Sequence, residues 1–184
     1  MRLFIACEIP EQVRKKLVTL QEDIGEEQAR IKWVEMKNIH LTMKFLGEVD
    51  DGKVEEIKSS LSKIKSKAID AHVSGFGVFP NESYVRVMWV GLEPAHDLGK
   101  LHDGIDAALS SLGFGTDSSF RPHVTLGRVR SVMDKNGLMR KIAEAKESLA
   151  DIGSKFRIDE FKLKKSTLTP RGPVYEDVAV VVLS

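Results

Sequence analysis

Leu3, Ile5, Cys7 and Ile9 alternate with Phe4, Ala6 and Glu8 at the start of the chain. A period of two predicts a strand, covered on both faces because Phe4 and Ala6 are also apolar. Pro10 closes it and stands where a first-turn proline opens a helix. The spacing then changes to Val13, Leu17, Leu20 and Ile24, the stripe of an amphipathic helix. After a charged connection at 26–30, a short strand is expected at 31–34 and a longer one at 40–46. Gly47 to Gly52 turns the chain, and Val54, Ile57, Leu61 and Ile64 mark a second helix. Strands are expected at 71–79, where Gly75 and Gly77 permit a bulge, and at 84–92, beyond a turn at Pro80 to Ser83.

The second half repeats this order. Leu98, Leu101, Ile105 and Leu109 predict a helix, and the small residues 113–119 a mobile loop. A strand over 123–129 and a helix carrying Leu138, Ile142, Ala145 and Leu149 follow. Residues 156–164 read as one strand whose apolar phase slips between Ile158 and Phe161, which predicts a bulge. A tight loop at 169–173 leads to a closing strand at 174–183. First strands begin near Arg2 and Val85, first helices at Glu11 and Ala95, and second helices near Asp51 and Asp134, always 83 or 84 residues apart. Such a period predicts an internal repeat, about 1–83 and 84–184. With no linker composition between the halves, the expectation is one bilobal α+β domain over 1–184. Two mainly antiparallel sheets would line a central cleft about a pseudo-twofold axis, with helices packed outside.

Size and charge narrow the function. The 184 residues suffice for one well-cored domain. Lys+Arg is 28 against Asp+Glu 27, so no global positive field holds long nucleic acid, and a nucleotide or RNA partner must be caught locally. No apolar run approaches a membrane span. The opening Met1-Arg2-Leu3-Phe4 enters a strand without the layout of a signal peptide, and the lone Cys7 forms no internal disulfide. A cytoplasmic monomer is expected.

The candidate chemistry lies in His40-Leu41-Thr42-Met43 and His123-Val124-Thr125-Leu126, also 83 residues apart. On a strand, residues two apart share a face, so each tetrapeptide offers one imidazole and one hydroxyl together. If the fold brings the copies together, two imidazoles can share acid and base roles near neutral pH while hydroxyls donate to phosphate oxygens. Lys44 falls on the His40 face by the same count. His72, His96 and His102 lack this pattern and are read as structural or solvated. There is no His-Glu-x-x-His and no cysteine pair, and neither tetrapeptide carries a carboxylate, so metal ligands are missing. With no Gly-rich phosphate loop either, a reaction free of metal and cofactor is expected.

The chain resembles the RNA 2′,3′-cyclic phosphodiesterases, also called 2′-5′ RNA ligases, of the two-histidine phosphoesterases. The resemblance covers nearly the whole length. It runs through Arg2 to Ala6, His40-Leu41-Thr42-Met43-Lys44-Phe45-Leu46-Gly47, Arg121-Pro122-His123-Val124-Thr125-Leu126-Gly127-Arg128, and the closing Ser166-x-Leu168-x-Pro170-x-Gly172-Pro173-x-Tyr175. It implies hydrolysis of a terminal cyclic phosphate to a 2′-phosphomonoester, with His40 the proton donor, His123 the acceptor, and Thr42 and Thr125 on the phosphate. The partners implied are RNA ends, tRNA fragments among them, or small cyclic nucleotides. The ligase name implies ATP-independent joining through a 2′-5′ linkage. Arg128 matches a phosphate contact and Phe45 a position near the base, but both have the opposite strand parity from their histidines. Phe45 is therefore assigned to the core, while Arg128 is kept as a candidate beside Lys44 and Arg171. A binding module without turnover, and a phosphodiesterase of 2′-5′ oligonucleotides, are the alternative readings.

Overall fold

Burial follows the predicted periods. In the computed structural model, which describes residues 1–149, 152, 155–170 and 172–184, α1 (Glu11–Ile24) buries Val13, Leu17, Leu20 and Ile24. Each such side chain removed from water contributes roughly 1.5–3 kcal/mol. The helix starts at Pro10, whose carbonyl accepts from Val13 and Arg14, and stops at Gly25 with φ +67°. Among the described residues three further α-helices follow, α2 (Val54–Leu61), α3 (Ala95–Ser110) and α4 (Lys135–Ser148). All three carry the expected apolar stripes, except that Ile64 falls beyond the end of α2.

The strands are β1 (Arg2–Glu8), β2 (Ala29–Trp33), β3 (His40–Glu48), β4 (Ile69–Asn81), β5 (Tyr84–Glu93), β6 (His123–Val132), β7 (Phe156–Ile158), β8 (Glu160–Thr169) and β9 (Gly172–Val182). They pair antiparallel in the order β7-β4-β5-β6-β3-β1-β8-β9, with β2 added to β6. This is the expected mixed architecture of an antiparallel sheet with helices against it. Its two arms, β7-β4-β5-β6 and β3-β1-β8-β9, touch through one residue pair, Leu41 and Val124. Beyond that point β3 splays away and β2 takes its place along β6 from Gly127 onward. Each arm draws on both halves of the chain, because β4 lies with β5 and β6 while β8 lies with β1.

The phase slip at 158–161 is more than a bulge. The chain breaks there into β7, which pairs β4, and β8, which pairs β1. Gly75, at φ +69°, does carry the register shift between Ser74 and Phe76.

Candidate active site

The Leu41–Val124 pair positions everything around it. Both side chains are fully buried in the core. Antiparallel pairing then sends the residues on either side, His40 and Thr42 on β3 and His123 and Thr125 on β6, to the opposite face. Counting outward from the junction, His40 stands across from Thr125 and Thr42 from His123. All four line one open cleft of about 910 Å³, ample for a nucleotide.

The two imidazoles are held alike. His40 Nδ1 lies 2.7 Å from the Asn38 carbonyl, and His123 Nδ1 lies 2.7 Å from the Arg121 carbonyl. A carbonyl only accepts, so each Nδ1 carries the proton and each Nε2 is left to exchange one. His40 Nε2 lies 2.9 Å from Thr42 Oγ1. Asn38 is buried, and its side-chain amide donates to the Pro173 carbonyl at 3.2 Å. That contact ties the start of β9 to the His40 loop and brings Tyr175 edge-on to the His40 ring, at 5.4 Å between centroids, with Phe4 at 5.2 Å. Phe79 and Trp89 pack against His123 in the same manner, at 5.4 and 5.9 Å. Burial pushes the His40 pKa below the ordinary imidazole value, and the Lys164 charge adds to this; the Asn38 hydrogen bond and Glu8 oppose it. The same burial raises the Tyr175 phenol, against the pull of Arg128, Arg2 and Lys164.

Paired bulges rearrange the residues that follow each motif. In β3 the register against β1 slips between Ile5 and Ala6, so that Met43 is extra. In β6 the register against β5 slips between Met88 and Trp89, so that Leu126 is extra. Parity reverses after each. Phe45, assigned to the core from its parity, is instead 71% exposed and lines the cleft. Arg128 is carried to the same cleft wall by the equivalent slip. The Leu126 carbonyl at the bulge is satisfied by the buried Gln21 amide at 2.8 Å and by Val34 N–H at 2.8 Å.

Lys44, expected on the His40 face, follows the bulge and lines the same cleft from a buried position. It is 7% exposed, and its ammonium pairs with Asp106 of α3 at 2.5 Å and donates to the Gly115 carbonyl. Asp106 accepts from the Asp117 backbone N–H at 2.6 Å, and Phe120 stacks on the buried His102 at 4.1 Å. The segment 113–119, expected to be mobile, is thus tied at 115 and 117, and with Phe120 just beyond it forms a wall of the cleft. Arg171 lies outside the described residues. Neither Tyr175 nor Asp106 was singled out from sequence for the site. The only signal for Asp106 was a carboxylate beside the apolar stripe of α3. Burial pushes the Cys7 thiol up to about 12, as an inert core residue. Among the described residues, no three His, Cys, Asp or Glu converge as metal ligands would.

The chain is similar in sequence and in fold to known proteins. A family model described as LigT like Phosphoesterase matches it twice, at residues 7–89 and 90–175. The RNA 2′,3′-cyclic phosphodiesterase of Methanocaldococcus jannaschii is 41% identical over 179 residues, covering 96% of this chain and 97% of its own. That of Methanothermobacter thermautotrophicus is 33% identical over 182 residues, covering 98% and 97%. A crystal structure from Thermus thermophilus superposes with a TM-score of 0.76 at 29% identity, covering 99% of this chain and 97% of the other. E. coli LigT complexed with 3′-AMP shares the fold, with a TM-score of 0.77 at 21% identity over 100% and 98% of the two chains.

Proposed function

The chain belongs to the LigT-like phosphoesterases, and from that premise we propose how its two-histidine cleft acts as an RNA 2′,3′-cyclic phosphodiesterase. Water attacks phosphorus as His123 Nε2 takes its proton, and the bond to the 3′ oxygen breaks as His40 Nε2–H protonates it. The product is a 2′-phosphomonoester. In-line displacement needs the base and the acid on opposite sides of phosphorus, which suits imidazoles on facing arms of one cleft. The observation that carries this reading is the matched pair of 2.7 Å Nδ1 contacts, since it gives both rings the same tautomer and leaves both Nε2 atoms available.

A depressed pKa makes protonated His40 a stronger acid, as a donor to a leaving oxygen requires, and the anionic phosphate restores the proton on binding. While His40 is neutral, the Thr42 hydroxyl donates to Nε2. Once Nε2 is protonated, that hydroxyl is released to donate to a phosphate oxygen, with Thr125 opposite. The Arg128 guanidinium offsets the charge on the non-bridging oxygens. A 5′-hydroxyl in place of water would give the 2′-5′ linkage without ATP. The twofold family match at 7–89 and 90–175 supports a single domain built by internal duplication. RNA 3′ ends, tRNA fragments included, and a monomer in the cytoplasm complete the proposal. No helix among the described residues is long and apolar enough to cross a membrane.

His40→Ala and His123→Ala test it. Each removes one proton-transfer partner, worth roughly 10²–10⁴ in rate, or about 3–5 kcal/mol of barrier. Folded variants that open a cyclic-phosphate RNA end at the parent rate would overturn the assignment. Tight binding by the parent with no turnover would favour the binding module.

A further inference from the structure

A row of cations leaves the cleft along β6. Arg128 and Arg130 are two apart on that strand, and Lys32 of β2 stands directly opposite Arg128. Like charges facing each other across a sheet are destabilising, and no carboxylate pairs with any of the three among the described residues. Lys32, Arg128 and Arg130 line the catalytic cleft, and Arg130 also lines a second pocket of about 460 Å³. There Tyr84 of β5 is 58% exposed, with the Arg86 guanidinium 5.0 Å from its ring centroid. Arg86 likewise has no carboxylate partner among the described residues. Glu82, the carboxylate on that pocket's wall, is engaged by Lys146 at 2.7 Å.

Resting on the reading of the cleft as a cyclic-phosphate RNA site, we propose that this second pocket holds an upstream nucleotide of the same RNA strand. The strand runs from the cleft, where Arg128 holds the reacting phosphate, past Lys32 and Arg130, which meet its backbone phosphates; one base stacks on Tyr84, and Arg86 beside that ring meets the adjoining phosphate. Unpaired cations along a path that ends on an exposed aromatic ring are the combination that binds single strands without reading sequence. The apposed Lys32 and Arg128 gain the anion that neither finds among the described residues. A chain with a net charge of +1 thereby gathers enough local positive potential to prefer a polynucleotide end over a free mononucleotide.

The test compares kcat/KM for a cyclic mononucleotide with that for a short single-stranded oligonucleotide ending in the same cyclic nucleotide. The parent enzyme favours the oligonucleotide, and its KM for that substrate rises with salt. Tyr84→Ala raises the oligonucleotide KM by roughly five-fold or more, the effect of losing one stacked base. Arg86→Ala removes one phosphate contact and flattens the salt dependence by about 0.7 in logarithmic slope. Both variants turn over the mononucleotide as the parent does, which also shows that they are folded. Equal oligonucleotide KM values in parent and variants would overturn the second pocket while leaving the proposed reaction intact. A parent that opens neither substrate would overturn the reaction itself, and this proposal with it.

Discussion

Asp106→Asn isolates what the buried Lys44–Asp106 pair does. The two side chains are 6% and 8% exposed, so the substitution leaves an ammonium in the interior without its counter-charge. Breaking a buried pair from one side costs about 3–5 kcal/mol. For a chain of this length each kcal/mol lowers Tm by about 2–4 °C, which puts the expected fall at roughly 6–20 °C. Asparagine keeps one acceptor oxygen, so the result should lie toward the lower end. Replacing both partners, Lys44→Met with Asp106→Leu, removes the stranded charge and should return Tm to within about 3 °C of the parent. The cleft responds differently. Both variants lose a carboxylate oxygen that anchors Asp117, and the double variant also loses the ammonium that holds the Gly115 carbonyl. KM for a cyclic-phosphate RNA end therefore rises in both, including the one whose stability has recovered. Thermal unfolding by circular dichroism at fixed pH and protein concentration, beside initial rates, reads the two effects separately. A single variant within about 1 kcal/mol of the parent, or a double variant with parental KM, would refute the reasoning.

His40 should titrate below 6.5 in the free protein, because burial disfavours its cation. The unfolded chain then binds that proton more readily, so the stability His40 contributes is full above pH 6.5 and is lost as pH falls through the lowered value. NMR of the ring protons should show the midpoint rising when inorganic phosphate is added, and a free-protein midpoint at or above 6.5 would contradict this. A Cβ at Gly77 would overlap the Trp89 ring, so Gly77→Ala should cost about 1–3 kcal/mol by overpacking. It should also lower kcat by pressing Trp89 on His123; unchanged stability and turnover would show that the ring moves freely. Chelator treatment should leave turnover unaltered, and loss of activity restored by a divalent cation would reinstate a metal.

The imidazoles and hydroxyls were readable because a strict period of two puts His40 with Thr42 and His123 with Thr125, and the recurrence at 83 residues linked the pairs. Phe45 was misassigned by that same period. A bulge adds one residue without changing composition, and Met43-Lys44 looks no different from an uninterrupted strand. The hint was Lys44 itself, which must find a counter-ion 62 residues away once it turns inward. The helices carried clear stripes, so their cores were legible. Tyr175 and Asp106 reach the site only through tertiary contacts, made by Asn38 to Pro173 and by Lys44 to α3. The break at Asp159 was seen as a slip in phase, but the two different strands waiting for β7 and β8 were not visible from local pattern.

Interleaving has a consequence for how this enzyme can be taken apart. Neither half of the polypeptide owns a complete interior: the first lends β4 to its neighbour's arm and receives β8 in exchange. Severed at the hairpin between β4 and β5, the halves would each bare a raw seam of Val, Ile and Leu, and His40 and His123 would be parted, each with nothing to hand its proton to.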